Sequence, residues 1–170
     1  MKKLNKDNKG FSLVELLVVI AIMVVLVGVI APTLLGNIEK ARVSSDIQSL
    51  DSIAAALQDA LGTESAYTKA MDTYTAPTKV STVIGSTVKD TDDYTKVVNE
   101  YLSSVPAMKG TKASKVSANL YFCITTDGKV TVWLSKAEWA SGTAAPTDAT
   151  SGAENTALVY DKSTNYIVTR

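Results

Sequence analysis

The 170-residue sequence contains no histidine and a single cysteine, Cys123. Without histidine the chain cannot form a Ser/His/Asp or Cys/His catalytic centre, and most zinc sites are excluded as well. One cysteine cannot form an internal disulfide, so stability outside the cell would have to come from packing. These absences argue against the common hydrolase and zinc-enzyme classes.

The net charge of zero, from 17 basic and 17 acidic residues, conceals an uneven distribution. Within the first ten residues Asp7 is the only acid, and four cations lie there: Lys2, Lys3, Lys6 and Lys9. The remaining chain has 13 basic and 16 acidic residues. It has only 2 arginines and no stripe of basic residues that could bind a phosphate backbone. We therefore do not expect nucleic acid as a specific ligand.

Apolar residues concentrate near the N-terminus. Residues 11–38 include 21 apolar side chains among 28 positions and one charge, Glu15, and residues 16–31 have no polar side chain at all. A helix of this length spans a bilayer. Lysines before the segment predict a cytoplasmic N-terminus and an external C-terminus. Lys40 and Arg42 after the segment reduce the difference in positive charge between its two flanks but do not reverse it.

Three ordinary explanations of this segment compete. A secretory signal peptide should end at a small-residue cleavage site, but Pro32 stands where the new chain would begin. A lipoprotein needs a cysteine directly after the apolar run, and Cys123 is far downstream. A plain membrane anchor with an external body accounts for everything except Glu15.

Glu15 is unusual because a charged side chain in an apolar span costs about 2.5–3.5 kcal/mol near the bilayer centre and generally marks a functional site. It lies in the first turn of the predicted helix, where the positive end of the helix dipole stabilises a carboxylate. Cleavage after Gly10 would add a second positive group, the free amine of Phe11. Cleavage between Gly10 and Phe11 would therefore supply the positive partner that Glu15 needs.

The residues around this position, KGFSLVEL from Lys9 to Leu16, resemble the processing signature of type IV prepilins and of type II secretion pseudopilins. The resemblance rests on a short basic leader that ends in Gly10, the following Phe11, Glu15 four residues later, and an apolar helix with a proline at Pro32. It covers about the first 50 to 60 residues, beyond which that family diverges freely.

This resemblance implies that a prepilin peptidase/methyltransferase cuts after Gly10 and N-methylates Phe11. Glu15 would then pair with the Phe11 amine of a neighbouring subunit as the helices leave the membrane and bundle into a filament core. Residues 1–10 would be the leader, residues 11–36 the transmembrane and later filament-core half of the helix, and residues 37–170 the external globular domain. The chain itself would not be an enzyme and would need no cofactor or metal.

Apolar periodicity continues beyond the span and predicts one helix over about residues 12–61, with Gly62 as its C-terminal cap. We expect Glu39, Lys40, Asp46, Gln48, Asp51 and Asp59 on its polar side. The apolar face comprises Ile38, Val43, Ile47, Leu50, Ala54, Leu57 and Leu61.

Pro32 removes a backbone donor between Gly28 and Gly36, so we expect a bend or local loosening there. Two interpretations stay open. The proline is tolerated as in other membrane helices, or, as the resemblance implies, the segment melts when subunits pack and makes the filament extensible.

The remainder predicts an α+β fold in which the long helix packs against a four-stranded antiparallel sheet, as in type IV pilins. One hairpin comprises residues 120–126 and 129–135 around Asp127-Gly128, and a second pair comprises residues 157–160 and 166–169. Residues 63–89 predict a loop with a short helix near 64–71, and residues 141–155 a surface loop. A further helix begins at Asp92 or Asp93 and ends before Pro106.

Three smaller questions concern individual side chains. Asp90, Asp92 and Asp93 could cap this helix or hold calcium, and capping is favoured because the EF-hand glycine and distal glutamate are missing. Cys123 is interpreted as a buried small hydrophobe rather than a reactive thiol. The aromatic residues are interpreted as core and sheet-face positions rather than a sugar-binding patch: Tyr121, Trp133, Trp139, Tyr160 and Tyr166.

The leading functional hypothesis is a major type IV pilin that forms a homopolymeric surface filament for adhesion, motility or biofilm formation. Its other partners would be the pilus assembly machinery and, before assembly, the membrane. The lack of a cysteine pair departs from many Gram-negative pilins and favours the Gram-positive type. The alternatives are a pseudopilin or minor pilin of a secretion or DNA-uptake system, and a membrane-anchored extracellular enzyme or binding protein.

Overall fold

A computed structural model describes residues 11–85, 92–140, 144–146, 158–161 and 164–170. The chain divides into two compact units, Met1–Ile38 and Glu39–Arg170. The long helix α1, Leu13–Asp59, contributes to both units, and a 3₁₀ turn at Ala60–Gly62 follows it. The predicted helix over about residues 12–61 is thereby confirmed to within two residues.

The described residues of the second unit form two further α-helices, α2 (Glu64–Thr73) and α3 (Asp93–Tyr101), and 3₁₀ segments at Val80–Thr82 and Ala113–Asn119. Both α-helices were expected. Its strands are β1 (Thr78–Lys79), β2 (Leu120–Ile124), β3 (Val130–Leu134), β4 (Tyr160–Asp161), β5 (Thr164–Asn165) and β6 (Ile167–Thr169).

Four of these strands form one antiparallel sheet in the order β1-β2-β3-β6. The predicted fold class, a long helix against a four-stranded antiparallel sheet, is confirmed. Its register pairs Phe122 with both Thr78 and Val132, and Val132 with Val168.

One predicted strand is wrong. The described part of the predicted strand at residues 157–160 does not enter the four-stranded sheet: Leu158 makes an isolated bridge to Ser135, and Tyr160–Asp161 pairs with Thr164–Asn165 in a separate hairpin. The edge of β3 is already occupied by β6 over residues 131–133, which leaves only the end of β3 for this segment. The fourth strand is instead β1, within a stretch that the sequence predicted to be loop.

The hairpin between β2 and β3 turns at the predicted Asp127-Gly128. Gly128 has φ +78°, a left-handed conformation that glycine adopts without strain. The Thr125 N–H donates to Lys129 O at 2.9 Å and the Gly128 N–H donates to Thr125 O at 2.8 Å, so residues 126–128 form a three-residue loop. The turn is therefore longer than the two-residue loop that this dipeptide suggests.

The main core lies between the sheet and the second-unit part of α1. Val43, Leu50, Ala54 and Leu57 are buried as predicted, with Ile47 and Leu61 partly buried against them, whereas Ile38 is 39% exposed. Alternate sheet residues complete this core: Leu120, Phe122, Ile124, Val130, Val132 and Leu134. Burial of these side chains is the main source of stability in a unit without disulfides.

A smaller apolar cluster covers the opposite face of the sheet. It contains Tyr121, Cys123, Trp133, Leu158 and Ile167, with Trp139 and Ala145 packed against it. Cys123 is confirmed as a buried thiol, and burial raises its pKa. Tyr121, Trp133 and the main-core Tyr166 are buried too, as predicted, while the side chain of Tyr160 and most of residues 141–155 lie outside the described residues.

Candidate functional site

The beginning of α1 carries the residues that sequence analysis singled out for processing. Phe11 is 93% exposed, and the Leu16 N–H donates to Ser12 O at 3.2 Å, which makes Ser12 the N-cap of the helix. The backbone N–H of Ser12 donates to Glu15 Oε2 at 2.8 Å. This contact is the glutamate half of a capping box, in which the third helical residue reaches back to the N-cap backbone. Gly10 lies outside the described residues.

Glu15 therefore has a local hydrogen-bond donor in the single chain. That contact satisfies one lone pair of one carboxylate oxygen but leaves the negative charge in place. The charge lies in the first helical turn, where the N-terminal dipole stabilises it. A positive partner would still be needed wherever water is excluded, because an unpaired carboxylate is costly to bury.

The helix that follows is apolar on all sides. Within the described residues, Leu13–Gly62 is long and apolar enough to cross a bilayer, and none of its most apolar 18-residue window is buried in the chain. Side chains from every face are exposed, including Val19 at 48%, Val24 at 71% and Val29 at 72%. A helix that is apolar all round must be covered by lipid or by other protein.

The predicted bend positions lie inside this exposed segment. The α-helical assignment runs through Gly28, Pro32 and Gly36 without interruption. Apart from the helix's own backbone, a methyl group at Gly28 or Gly36 would have no atom within 4 Å in the described chain. Contacts within one chain therefore do not require glycine there, and the bend stays a prediction.

A buried carboxylate that sequence reasoning misplaced lies further along α1. Asp46 was expected on the polar side but is 0% exposed. Its Oδ1 accepts the Lys109 N–H and its Oδ2 the Gly110 N–H, both at 2.7 Å, and the Tyr166 hydroxyl lies 3.5 Å from Oδ2. Asp46 thus joins α1 to the loop before the second 3₁₀ segment, and no helical periodicity could reveal partners 63 and 64 residues away.

Glu39, two turns earlier on the same helix, binds the next residue of that loop. Its Oε1 accepts the Thr111 N–H at 2.5 Å, and its Oε2 lies 3.5 Å from Arg42. The hydrogen bond from the Thr111 backbone, more than the nearby Arg42, lowers the pKa of Glu39. Three successive backbone N–H groups, at residues 109 to 111, are therefore bound by two carboxylates of α1.

A third carboxylate of α1 holds the end of the sheet. Asp51 accepts two hydrogen bonds from the Arg170 guanidinium, at 2.9 Å and 2.7 Å. Arg170 also exchanges two backbone hydrogen bonds with Val130, both at 2.8 Å. The guanidinium lowers the pKa of Asp51 through this bidentate contact.

The aspartates near α3 act as a helix cap. Asp92 Oδ1 accepts the Thr95 N–H at 2.8 Å, and the Thr95 hydroxyl receives the Asp92 N–H at 3.1 Å, which completes a capping box. Asp92 Oδ2 accepts the Tyr74 hydroxyl at 2.8 Å, and Asp93 pairs with Lys96 at 3.4 Å. The predicted capping role is confirmed for Asp92, while Asp90 lies outside the described residues. Among the described residues no group of three or more acidic, histidine or cysteine side chains could hold a metal ion.

Comparison with known proteins identifies one match. Residues 5–31 match the family model described as "Prokaryotic N-terminal methylation motif". No curated protein and no solved structure matches the chain. This motif is the signal of the type IV pilin and pseudopilin class, and it implies processing by a prepilin peptidase. The chain therefore carries the N-terminal methylation motif of this class, and the motif precedes a long helix whose distal part packs on a four-stranded antiparallel sheet.

Proposed function

We propose that this chain is the major structural subunit of a type IV pilus. The observation that supports this most strongly is a methylation motif followed directly by an apolar helix whose most apolar window is not covered by any of the described residues. If the subunit is first made in a membrane and then polymerised, its apolar helix must be covered in both states. Lipid covers it in the precursor, and the same helices of other subunits cover it in the filament.

The proposed processing assigns a role to each residue at the start of α1. The peptidase cuts between Gly10 and Phe11 and methylates the new Phe11 amine. Glu15 keeps its Ser12 N–H contact in the precursor, and on assembly it pairs with the methylated amine of a neighbouring subunit. In the dry filament core this pair offsets the cost of burying either charge alone, so it favours one register of subunit addition.

The domain arrangement follows from the same proposal. Residues 1–10 are a leader that is removed, residues 11–36 form the membrane-spanning and then filament-core segment, and residues 37–170 form the external domain. Gly28, Pro32 and Gly36 are where the helix bends or melts in the filament. A precursor with a cytoplasmic N-terminus gives a filament on the cell surface, used for adhesion, motility or biofilm formation.

Two features support a major pilin of the Gram-positive type. The only cysteine is a free buried thiol, so the fold does not rely on the disulfide-closed loop of many Gram-negative pilins. The second unit has its own apolar core on one face of the sheet and a further cluster on the other. Such a domain can present loops to the exterior while the helix polymerises.

Mass analysis of the N-terminus of the mature chain tests the processing step. We expect loss of residues 1–10 and a single methyl group on Phe11. An intact Met1 would instead indicate a permanent membrane anchor.

Imaging of surface filaments, with identification of their most abundant subunit, tests the major role. We expect this chain to be that subunit. If the chain is processed but present only in traces, it is a minor pilin or a pseudopilin of a secretion or DNA-uptake system, and the major role is wrong.

A further inference from the structure

Exposed cations gather at the end of the second unit where α1 enters it. They form what we call the cationic patch: Lys40, Arg42, Lys109, Lys112 and Lys115. Two come from α1 and three from the loop and 3₁₀ segment around residues 109–115, which are distant in sequence. Their proximity depends on the carboxylate contacts of α1 described above.

Glu39 and Asp46 bring the two groups of cations together. Thr111, between Lys109 and Lys112, is held at 2.5 Å by Glu39, and the Lys109 N–H itself donates to Asp46 at 2.7 Å. Lys115 follows in the next turn, since the Ser114 N–H donates to Gly110 O at 2.9 Å. The loop backbone is therefore fixed beside residues 39–46 of the helix.

The patch is positive although the unit is not. Arg42 pairs with Glu39 and Lys112 has an interaction of its own, which leaves Lys40, Lys109 and Lys115 beside one buried carboxylate, Asp46. Residues 39–170 as a whole, in contrast, carry 13 basic and 15 acidic residues. Within the described chain the ammonium groups of Lys40, Lys109 and Lys115 form no ion pair. The excess charge is therefore open to an external anion.

The position along the chain indicates which anion. A span of about 20 residues crosses the hydrocarbon core, and residues 16–35 provide it while leaving Glu15 at the boundary, where a charge costs least. Lys40 follows five residues later, at most about 8 Å away if the chain stays helical. A head-group layer is roughly 5–7 Å thick and the Debye length is about 8 Å in physiological salt.

We propose that the cationic patch binds the phosphate head groups of anionic lipids in the external leaflet while the subunit awaits assembly. Juxtamembrane clusters of lysine and arginine are attracted to anionic membrane surfaces in this way. Binding of these head groups enriches anionic lipid at the external end of the helix. This inference rests on the membrane-resident precursor of the proposed function, but not on which filament the subunit forms.

The test uses the full chain in phosphatidylcholine bilayers that contain a minority of phosphatidylglycerol. Electron paramagnetic resonance of spin-labelled phosphatidylglycerol and phosphatidylcholine gives the ratio of the two lipids immobilised at the protein. The patch variant is Lys109→Gln/Lys115→Gln, which removes two exposed charges.

The matched control is Lys96→Gln/Lys129→Gln, which also removes two exposed lysine charges. These lysines lie near the other end of α1 in this unit, since Gln58 donates to Gly128 O at 3.1 Å and Tyr94 to Leu57 O at 2.9 Å. That end is about 28 Å from residue 39 along the helix. The leader lysines are the same in every variant. Any lipid that they bind in the other leaflet therefore contributes equally to the phosphatidylglycerol preference of each variant.

We expect the phosphatidylglycerol preference to fall roughly two-fold in the patch variant, to stay unchanged in the control, and to disappear in high salt. Equal preferences in the two variants would overturn the proposal while leaving the proposed function intact. A chain that fails to enter the bilayer would overturn both. Patch-dependent association between chains, with no change in lipid preference, would assign the patch to a second copy and so refute lipid binding.

Discussion

The backbone of Gly110 lies so close to the Asp46 carboxylate that a methyl group on residue 110 would lie 2.8 Å from Asp46 Oδ2 and 2.7 Å from the Tyr166 hydroxyl. This closeness is what allows the Gly110 N–H to donate to Asp46 at 2.7 Å. Helix α1, the 109–111 loop and the residue before β6 therefore meet at one buried carboxylate. A residue other than glycine would push these three segments apart.

Replacement of Gly110 by alanine should destabilise the second unit by about 1–3 kcal/mol, the usual cost of forcing an extra carbon into a packed site. Urea unfolding of the full chain in detergent, followed by tryptophan fluorescence, measures the loss as a lower midpoint. Gly62→Ala is the control, because a methyl group there would have no neighbour within 4 Å. Equal midpoints for the two variants would contradict the close contact.

Acid should weaken the attachment of the sheet end and the 109–111 loop to α1. The pKa of Asp51 is lowered from 3.8 by Arg170, and that of Glu39 from 4.5 by the Thr111 N–H. Because both folded-state pKa values are depressed, the stabilisation is fully present above pH about 4.5. It declines as the pH falls below these ordinary values and is lost below the folded-state values. Thermal unfolding between pH 6 and about pH 2 should show a falling midpoint.

The variant Asp51→Asn/Glu39→Gln isolates this effect. It should unfold at a lower temperature than the parent at pH 6 and approach the parent at low pH, where the parent carboxylates are protonated too. The Asp51 side chain is 47% exposed, so salt should reduce its part of the difference. Asp72→Asn, an exposed aspartate of α2, serves as the control. A difference between variant and parent that does not depend on pH would refute this explanation.

Replacement of Glu15 by alanine should block assembly without blocking processing. The variant should still lose residues 1–10 and enter the membrane, because the cleavage site and the apolar helix are intact. Few filaments should form, since no carboxylate remains to pair with the Phe11 amine. The mass of the mature N-terminus and the amount of sheared surface filament measure the two steps. Glu64→Ala, at the first turn of α2, is the control, and normal piliation of the Glu15 variant would contradict the pairing.

Pro32→Leu should change the mechanics of the filament. Leucine restores the missing backbone donor, so the helix around residue 32 should resist bending and melting. Force–extension measurements on single filaments should then give a stiffer response or a higher yield force. Thr33→Val, a neighbouring change that leaves the backbone donors as they are, is the control. Identical curves for the proline variant and the parent filament would remove the proposed role of this segment.

The elements that sequence analysis located correctly are those whose signal is local. The extent of α1 follows from its periodicity, α3 from its capping aspartate, and the β2–β3 hairpin from Asp127-Gly128. The processing motif is likewise a contiguous pattern, which is why residues 5–31 alone match a family. Each of these features depends on residues within a few positions of one another.

The features that sequence analysis missed depend on contacts between distant segments. Strand β1 has only two residues, Thr78 and Lys79, and it forms through antiparallel pairing with β2. In the sequence, Asp46 has the position of a solvent-exposed helix residue. It is buried because the backbone N–H groups of residues 109 and 110 donate to its carboxylate. Residues 158–160 have the composition of a strand, but β6 already pairs with the edge of β3.

The burial of Cys123 has a practical consequence for labelling experiments on this protein. A thiol that is 3% exposed and whose pKa is raised by burial reacts slowly with maleimide or iodoacetamide. A folded subunit therefore stays unlabelled, and one that has lost its sheet becomes labelled. A cysteine added at an exposed site such as Ser114 would therefore be labelled selectively in the folded protein, and labelling of the native thiol would report unfolding of the sheet.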